Sequence, residues 1–342
     1  MAILITGGSG FIGSNFIKHI DQLDDSQVLI NLDKLTYASR VKNLQDVSRG
    51  EKYIFVHGDI TDKQIVSETL SFYKPWAVVH FAAESHVDNS IGDPSTFINT
   101  NVFGTYNLLE CVREFLLDQN ACEKERFRFI HVSTDEVYGQ LEQSELKKKE
   151  TDLYAPRNPY SASKAAADHL VNSYFSTYDL NSIIIRSCNN YGPFQHPEKL
   201  IPKVIMKALN NEPIPIYGDG KQKREWIYVG DHCDAIYNVL YNGSPGETYN
   251  VSSNVEIENI QLVNILCKML DSKVPVCNYT YKNLITFVED RPGHDRRYAM
   301  NCEKIGSELG WSSKSDFEEM LSHTIGWYLM NSEKTESRIE LK

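Results

Sequence analysis

The chain has 342 residues, 41% hydrophobic and 24% charged, the makeup of an ordinary globular protein large enough for one big domain and a second lobe. A net charge of -11 with a pI near 5.4 argues against electrostatic binding to nucleic acid or to an anionic membrane, and leaves a small molecule as the expected partner. Seven scattered cysteines, an odd number without paired short spacing, point to reduced thiols rather than a disulfide framework or zinc site, so no metal is expected.

No apolar run is long enough to span a bilayer, and Met1 to Ile5 lack the charged-then-apolar layout of a signal peptide. A cytoplasmic protein is expected. Ile3-Leu4-Ile5 reads as a short buried strand, followed by Thr6-Gly7-Gly8-Ser9-Gly10-Phe11-Ile12-Gly13 and a helical pattern through Phe16, Ile17 and Ile20. Gly7, Gly10 and Gly13 recur every third residue, as a turn needs when its amides must approach a pyrophosphate and its helix must lie tight on a sheet. A second apolar strand, Val28 to Leu32, ends in Asp33, about 20 residues beyond the last glycine. A carboxylate there accepts from a ribose 2'-hydroxyl and repels a 2'-phosphate, so NAD is expected over NADP, although the cation of Lys34 beside it weakens the preference.

Strand and helix then alternate. Tyr53 to His57 precedes Gly58-Asp59-Ile60, a helix covers Lys63 to Tyr73, and Ala77 to Phe81 precedes Ala82-Ala83-Glu84-Ser85-His86. This order predicts an α/β fold, a Rossmann-type doubly wound parallel sheet with a smaller α/β substrate-binding lobe. Asp59 and Ile60 are expected at the adenine, and Ala82 and Ala83 are small enough for a cofactor to pass. His86, alone, reads as a packing or hydrogen-bonding residue rather than a catalyst. A helical pattern from Pro94 to Leu117 carries one apolar stripe (Val102, Tyr106, Leu109, Val112, Leu116) to cover the sheet.

Two chemical groupings follow. Phe129 to Val132 reads as a buried strand ending in Ser133-Thr134-Asp135-Glu136, which places polar groups at a strand C-terminus, where open α/β sheets bind ligands. Tyr160-Ser161-Ala162-Ser163-Lys164 opens an amphipathic helix whose i, i+4 spacing puts phenol and ammonium on one face. The lysine, with an oxidised cofactor ring, is expected to lower the phenol from about 10 toward neutrality and make it a base. Between them, Glu142 to Tyr154 with its run Lys147-Lys148-Lys149-Glu150 reads as a solvated surface loop.

Ser182 to Arg186 is another buried strand and delivers Cys188-Asn189-Asn190-Tyr191-Gly192-Pro193. Beyond it Pro197, Pro202, Pro213 and Pro215 punctuate a less regular segment, consistent with a substrate lobe. Lys199, Lys203, Lys221, Lys223, Arg224, Arg291, Arg296 and Arg297 are its candidate cations for a diphosphate. The expected division is an NAD-binding domain over 1–190, rejoined by 225–250, a substrate-binding lobe mainly over 191–330, and a polar tail over 331–342.

The glycine turn with Tyr160 and Lys164 resembles the extended short-chain dehydrogenase/reductases. Residues 1 to about 330 resemble, more closely, the dTDP-glucose 4,6-dehydratases of that superfamily. The likeness is carried by Leu32-Asp33-Lys34-Leu35-Thr36-Tyr37-Ala38, Ala82-Ala83-Glu84-Ser85-His86-Val87-Asp88, Ser133-Thr134-Asp135-Glu136-Val137-Tyr138-Gly139, Pro197-Glu198-Lys199-Leu200-Ile201-Pro202 and Asp290-Arg291-Pro292-Gly293-His294-Asp295-Arg296-Arg297-Tyr298. Asp135-Glu136 is the part specific to a dehydratase. In the chemistry the resemblance implies, Tyr160 takes the 4-hydroxyl proton as NAD oxidises carbon 4, with Thr134 on the same oxygen and Lys164 holding the ribose. Glu136 then removes the carbon-5 proton, Asp135 protonates the departing 6-oxygen, and carbon 6 is re-reduced. The same resemblance places cofactor contacts at Gly7, Gly10, Phe11, Ile12, Gly13, Asp33, Lys34, Asp59, Ile60, Phe81, Ala82, Ala83, Ser85, Thr100, Tyr160, Lys164 and Asn190. Substrate contacts fall at Ser85, Thr134, Asn189, Glu198, Lys199, Leu200, Pro215, Tyr217, Arg224, Asn259, Arg291 and His294. A homodimer is also implied, two helices from each subunit forming a four-helix bundle.

Asn89, Glu225 and Val251-Ser252-Ser253 depart from the usual Arg, Asp and Ile-Gly-Gly of the family and bear on the nucleotide, dTDP-glucose first and UDP-glucose second. A nucleotide-sugar 4-epimerase would keep Tyr160 and Lys164 without needing the acidic pair, and an NAD-binding scaffold would need neither.

Overall fold

The computed structural model describes residues 1–23, 26–47 and 50–336. The first half alternates strand and helix: β1 (Ala2–Thr6), α1 (Phe11–Leu23), β2 (Val28–Asp33), β3 (Tyr53–His57), α2 (Lys63–Tyr73) and β4 (Ala77–His80). Short helices α3 (Val87–Gly92) and α4 (Pro94–Phe97) lead to α5 (Thr105–Leu117), α6 (Ala121–Arg126), β5 (Arg128–Thr134), α7 (Pro159–Tyr178) and β6 (Ser182–Ser187). Among the described residues, seven strands pair in one parallel sheet in the order β3-β2-β1-β4-β5-β6, closed at its edge by a later strand, β10 (Thr248–Val251). The chain order reverses between β1 and β4, and the crevice beyond their C-terminal ends is the place such a sheet offers a ligand.

The winding follows from strand alternation. Ile3, Ile5, Ala77, Val79 and Ile130 enter the apolar layer on one face, and Leu4, Val78 and Phe129 enter the layer on the other. Both faces are buried, so both need helices.

The rest of the chain adds β7 (Asn189–Tyr191), α8 (Leu200–Leu209), β8 (Ile214–Tyr217), β9 (Lys223–Tyr228), α9 (Val229–Asn242), β11 (Val255–Glu258), α10 (Asn259–Lys273), β12 (Ile285–Val288), α11 (Glu303–Leu309) and α12 (Phe317–Glu336). A three-stranded sheet, β11-β9-β7, and a two-stranded one, β12-β8, surround a separate core that includes Tyr191, Ile205, Trp226, Leu266 and Ile325. Helix α9 packs on α1 of the first half.

Three expectations change. The helical stretch from Pro94 to Leu117 is interrupted by a π-helical segment, Ile98–Gly104. There Asn101 leaves the helical face to accept from Glu84 N (2.8 Å) and donate to the Ser163 hydroxyl (2.8 Å). The segment 142–154 is the surface loop expected, with 142–146, 149 and 151–153 exposed, but its lysine run is anchored to the protein rather than free. Lys147 pairs with the fully buried Glu225 (2.5 Å), and the Lys148 backbone bridges to Met300. Of the polar tail expected over 331–342, residues 331–336 continue α12, and 337–342 lie outside the described residues.

Candidate active site

Every position expected to meet the cofactor or to act in catalysis lines one cleft of about 350 Å³ at the C-terminal edge of the large sheet. The glycine turn forms its floor. Gly7 has φ +71°, and a Cβ there would stand 2.7 Å from the Ala82 backbone after β4; one on Gly13 would collide with the Gly7 carbonyl. Asp33, at the end of β2, is buried and organised by its own loop: it accepts from Ser9 N (2.8 Å), Leu35 N (2.8 Å) and the Ser39 hydroxyl (3.0 Å). Lys34 turns away to pair with Asp59 at 2.7 Å, so its charge is neutralised rather than offered to a 2'-phosphate. A bare glycine cradle, a helix N-terminus and a fixed carboxylate fit NAD, whose pyrophosphate and adenosine ribose need these three groups.

The catalytic side chains converge from two elements. Strand β5 ends at Thr134, whose hydroxyl caps the short 3₁₀ helix Asp135–Tyr138 by accepting from Glu136 N (3.3 Å). Gly139 ends that turn with φ +72°, because a Cβ would run into the Ala155 carbonyl. Helix α7 starts from Asn158, an N-cap that accepts from Ser161 N (2.8 Å), with Pro159 at the first turn. The same Asn158 amide donates to Glu136 Oε2 (3.2 Å), locking the acidic turn to the tyrosine helix.

The electrostatics separate the two acids. Asp135 is 3% exposed; its Oδ1 accepts from the Thr134 hydroxyl (3.2 Å), while Oδ2 is buried without a hydrogen-bond partner. Burial, then the Glu136 and Glu225 carboxylates, push Asp135 well above the usual carboxylate range, against the pull of Arg224 and Thr134. These surroundings, Glu136 among them, favour the protonated acid. The protein's own groups around Tyr160 act in the opposite sense to the lowering expected from Lys164 together with an oxidised cofactor ring. Burial, then Glu136 and Asp135, push the phenol up rather than down, and only the hydrogen bond with Thr134 opposes them. Lys164 Nζ donates to the Val132 carbonyl (2.8 Å), and burial lowers the lysine itself to about 8.

Ser85, Asn189, Glu198, Lys199 and Leu200 share the cleft with the catalytic groups. Lys199 Nζ donates to the Ser85 carbonyl (2.7 Å). Pro215, Tyr217, Arg224, Asn259, Arg291 and His294 do not line this cavity and come from β8, β9, α10 and the 289–297 loop. Arg224 is buried over the Tyr298 ring (4.4 Å), with hydrogen bonds to the Lys223 and Asp295 carbonyls (2.8 Å each). Asn259 Oδ1 is buried without a hydrogen-bond partner. Arg291 and Tyr217 both hold Asp88, at 3.0 and 3.1 Å. Two further candidate cations are likewise paired with protein carboxylates: Arg296 with Asp219 (2.7 Å) and Arg297 with Glu256 (2.6 Å).

The sequence reading missed several residues. Asn158 could have been found, since Asn-Pro ahead of a helix is a readable cap. Ser39 and Trp226 line the cleft without any local signal, because each reaches it through a loop or strand path that periodicity does not encode. The departures from the usual pattern are accommodated: Asn89 donates to the Tyr37 hydroxyl (3.1 Å), and Glu225 accepts from Lys147 and from Met300 N (2.9 Å). His86 caps α3, its Nδ1 accepting from Asp88 N (3.2 Å).

Fold and cleft together define a nicotinamide-cofactor enzyme of the extended short-chain dehydrogenase/reductase class. Residues 4–324 match the model of the GDP-mannose 4,6 dehydratase family. A dTDP-glucose 4,6-dehydratase of Shigella flexneri is 48% identical over 98% of this chain and 95% of its own length, and dTDP-glucose 4,6-dehydratase 1 of Escherichia coli is 48% identical over 97% and 93%. Among solved structures, a dTDP-glucose 4,6-dehydratase of Streptomyces venezuelae with NAD and TYD bound superposes with a TM-score of 0.88 at 41% identity, covering 98% of each chain. A UDP-glucose 4-epimerase of Thermotoga maritima gives 0.85 at 26% identity, covering 97% of this chain and 100% of its own. The chain belongs to the GDP-mannose 4,6 dehydratase family and, within it, to the dTDP-glucose 4,6-dehydratases.

Proposed function

We propose that this chain catalyses the NAD-dependent dehydration of dTDP-glucose to its 4-keto-6-deoxy derivative, by oxidation at carbon 4, loss of water across carbons 5 and 6, and reduction at carbon 6. The observation that carries this reading is the pair at the end of β5, where Asp135 is buried with one oxygen unpartnered and Glu136 is held by Asn158, next to Tyr160. Bound NAD supplies the electron acceptor at carbon 4 and the donor at carbon 6, so the reaction has no net redox change.

The chain's own residues manage protons. Tyr160 takes the 4-hydroxyl proton, with Thr134 hydrogen-bonded to the same oxygen; the Lys164 ammonium and the positive ring of the bound cofactor are the cations that draw the phenol down from its raised value. The resulting ketone makes the carbon-5 proton acidic, and Glu136 removes it. Asp135, kept protonated by its surroundings, delivers its proton to the departing 6-oxygen. Glu136 returns a proton to carbon 5 at the end. Arg224 and Arg291 are assigned to the diphosphate, and Asn259, with its unpartnered Oδ1, to a hydrogen-bond donor on the substrate.

The same reading includes the division into a cofactor unit and a nucleotide-sugar unit, a cytoplasmic location and a homodimer. The dimer is supported by exposed apolar side chains: Ile98, Phe103, Tyr106 and Leu117 before and along α5, and Tyr178 at the end of α7. Among the described residues no helix is long and apolar enough to cross a membrane.

Incubation with dTDP-glucose and, separately, UDP-glucose in heavy water tests the reading by mass. Loss of water with one deuterium gained at carbon 5, from the dTDP sugar, is expected. An isomer of unchanged mass would make the chain an epimerase, and equal turnover of both sugars would remove the nucleotide assignment.

A further inference from the structure

Beneath the cleft lies a buried polar cluster that the steps above do not use. Asp168 follows Lys164 by four residues on α7, so the two side chains share one helical face, and it is fully buried. Its Oδ2 accepts from Arg186 Nε of β6 (3.1 Å) and from the Tyr154 hydroxyl (2.9 Å). Its Oδ1 faces His131 Nε2 of β5 at 3.4 Å. Lys164, 5% exposed, has the neutral Val132 carbonyl as its hydrogen-bond acceptor. A buried ammonium on a neutral acceptor is costly unless an anion stands near.

We propose that Asp168 is a positioning residue of the reaction: from one helical turn behind Lys164, its carboxylate supplies the counter-charge that keeps the lysine an ammonium beside Tyr160 and the cofactor ribose. The inference rests on the proposed role of Lys164, but the state of the lysine can be read without turnover.

The surrounding groups leave this pair a clear signal. His131 is lowered to about 4 by burial and by Lys164, and His80 of β4 is lowered well below its ordinary value for the same reasons together with its neighbour His131, so both rings are neutral. Tyr138 of the acidic turn is raised to about 12 by burial, and Tyr154 and Tyr160 are raised further, so these phenols keep their protons. Burial would raise Asp168, but the facing His131 ring and Arg186 outweigh it and hold the carboxyl below its usual range, while Arg186 stays cationic. Glu136 and the raised Asp135 face Tyr160 on the cleft side. Lys164, lowered to about 8 by burial and supported by Asp168, is the group of this cluster whose charge changes in mildly alkaline solution. Tyr154 and Tyr138 also hold Arg186, so the anion has a rigid back wall.

The test is an NMR titration of the Lys164 side chain in isotopically labelled protein, the signal assigned with Lys164→Met, alongside the pH profile of turnover. Asp168→Asn is expected to move the lysine midpoint down by about one pH unit or more, a tenfold loss of ammonium on the alkaline side. The falling limb of kcat should move with it. Asp168→Glu, which keeps the charge, should restore both. Because Asp168→Asn alone leaves Arg186 without its carboxylate, the double variant Asp168→Asn/Arg186→Met provides a second background with no orphaned guanidinium, and the same shift is expected there. A midpoint within about 0.3 unit of the wild type, in either folded variant, overturns the proposal. So does a loss of turnover that scales the whole pH profile without moving it. If dTDP-glucose proves not to be a substrate, the lysine titration still decides the matter.

Discussion

Replacing Asp135 with Asn separates catalysis from stability, because the structure assigns the two effects opposite signs. Asparagine keeps the volume and leaves an oxygen to accept from Thr134 at the place of Oδ1 (3.2 Å), so the turn and the position of Glu136 should survive. What disappears is the transferable proton on the buried, unpartnered Oδ2 side. Loss of a general acid costs about 10²- to 10⁴-fold, roughly 3 to 5 kcal/mol on the elimination barrier. Stability should move the other way. The folded Asp135 pKa is raised above its unfolded value by burial, Glu136 and Glu225, so the stability linked to its proton is complete below the ordinary carboxylate pKa and is lost as pH rises through the folded value. The amide has no proton to lose. Relative to wild type, the Asn variant should therefore gain in Tm as pH rises from about 4 toward 8. Single-turnover mass analysis of water loss and thermal melts at both pH values make the measurement. Turnover within tenfold of wild type, or a Tm several degrees lower at the alkaline end, would refute the assignment of Asp135 as a buried acid.

Glu136→Gln should slow carbon-5 exchange and elimination by at least about 10²-fold while sparing oxidation at carbon 4; unchanged product formation sinks its role. Tyr160→Phe removes the base for the first step, and a normal transient of reduced cofactor absorbance in that variant would take the tyrosine out of the mechanism. Gly13→Ala forces a Cβ against the Gly7 carbonyl and to 2.8 Å from Gly8 Cα, an overpacking of about 1 to 3 kcal/mol that should cut NAD retention on gel filtration about tenfold; full retention would show that the turn relaxes. Phe103→Asp, at a side chain 48% exposed beside α5, should give a monomer by sedimentation, and an intact dimer would place the interface elsewhere.

Much of this protein was legible along the chain because its information is local. The parallel sheet follows from apolar strands such as Ile3-Leu4-Ile5 and Phe129 to Val132 alternating with amphipathic helices, and burial on both faces leaves few other arrangements. The glycine spacing, Asp33, the acidic pair and the Tyr160/Lys164 face are each set by neighbours a few residues away. The π-helical segment at Ile98–Gly104 was not legible, since Asn101 is drawn out of register by partners at Glu84 and Ser163. Nor was Lys147, whose run reads as solvated until β9 brings the buried Glu225 against it.

Charge state was the largest thing left to the tertiary structure. From sequence, Tyr160 beside Lys164 and an oxidised cofactor ring implies a lowered phenol; the fold adds burial among carboxylates, which pushes the phenol up and leaves the cations to oppose it. Sequence determined which ionisable groups stand at the end of β5 and on the first turn of α7. Only the tertiary structure decided which of them hold protons, because desolvation and the pairing of Asp168, Arg186 and His131 depend on elements far apart in the chain.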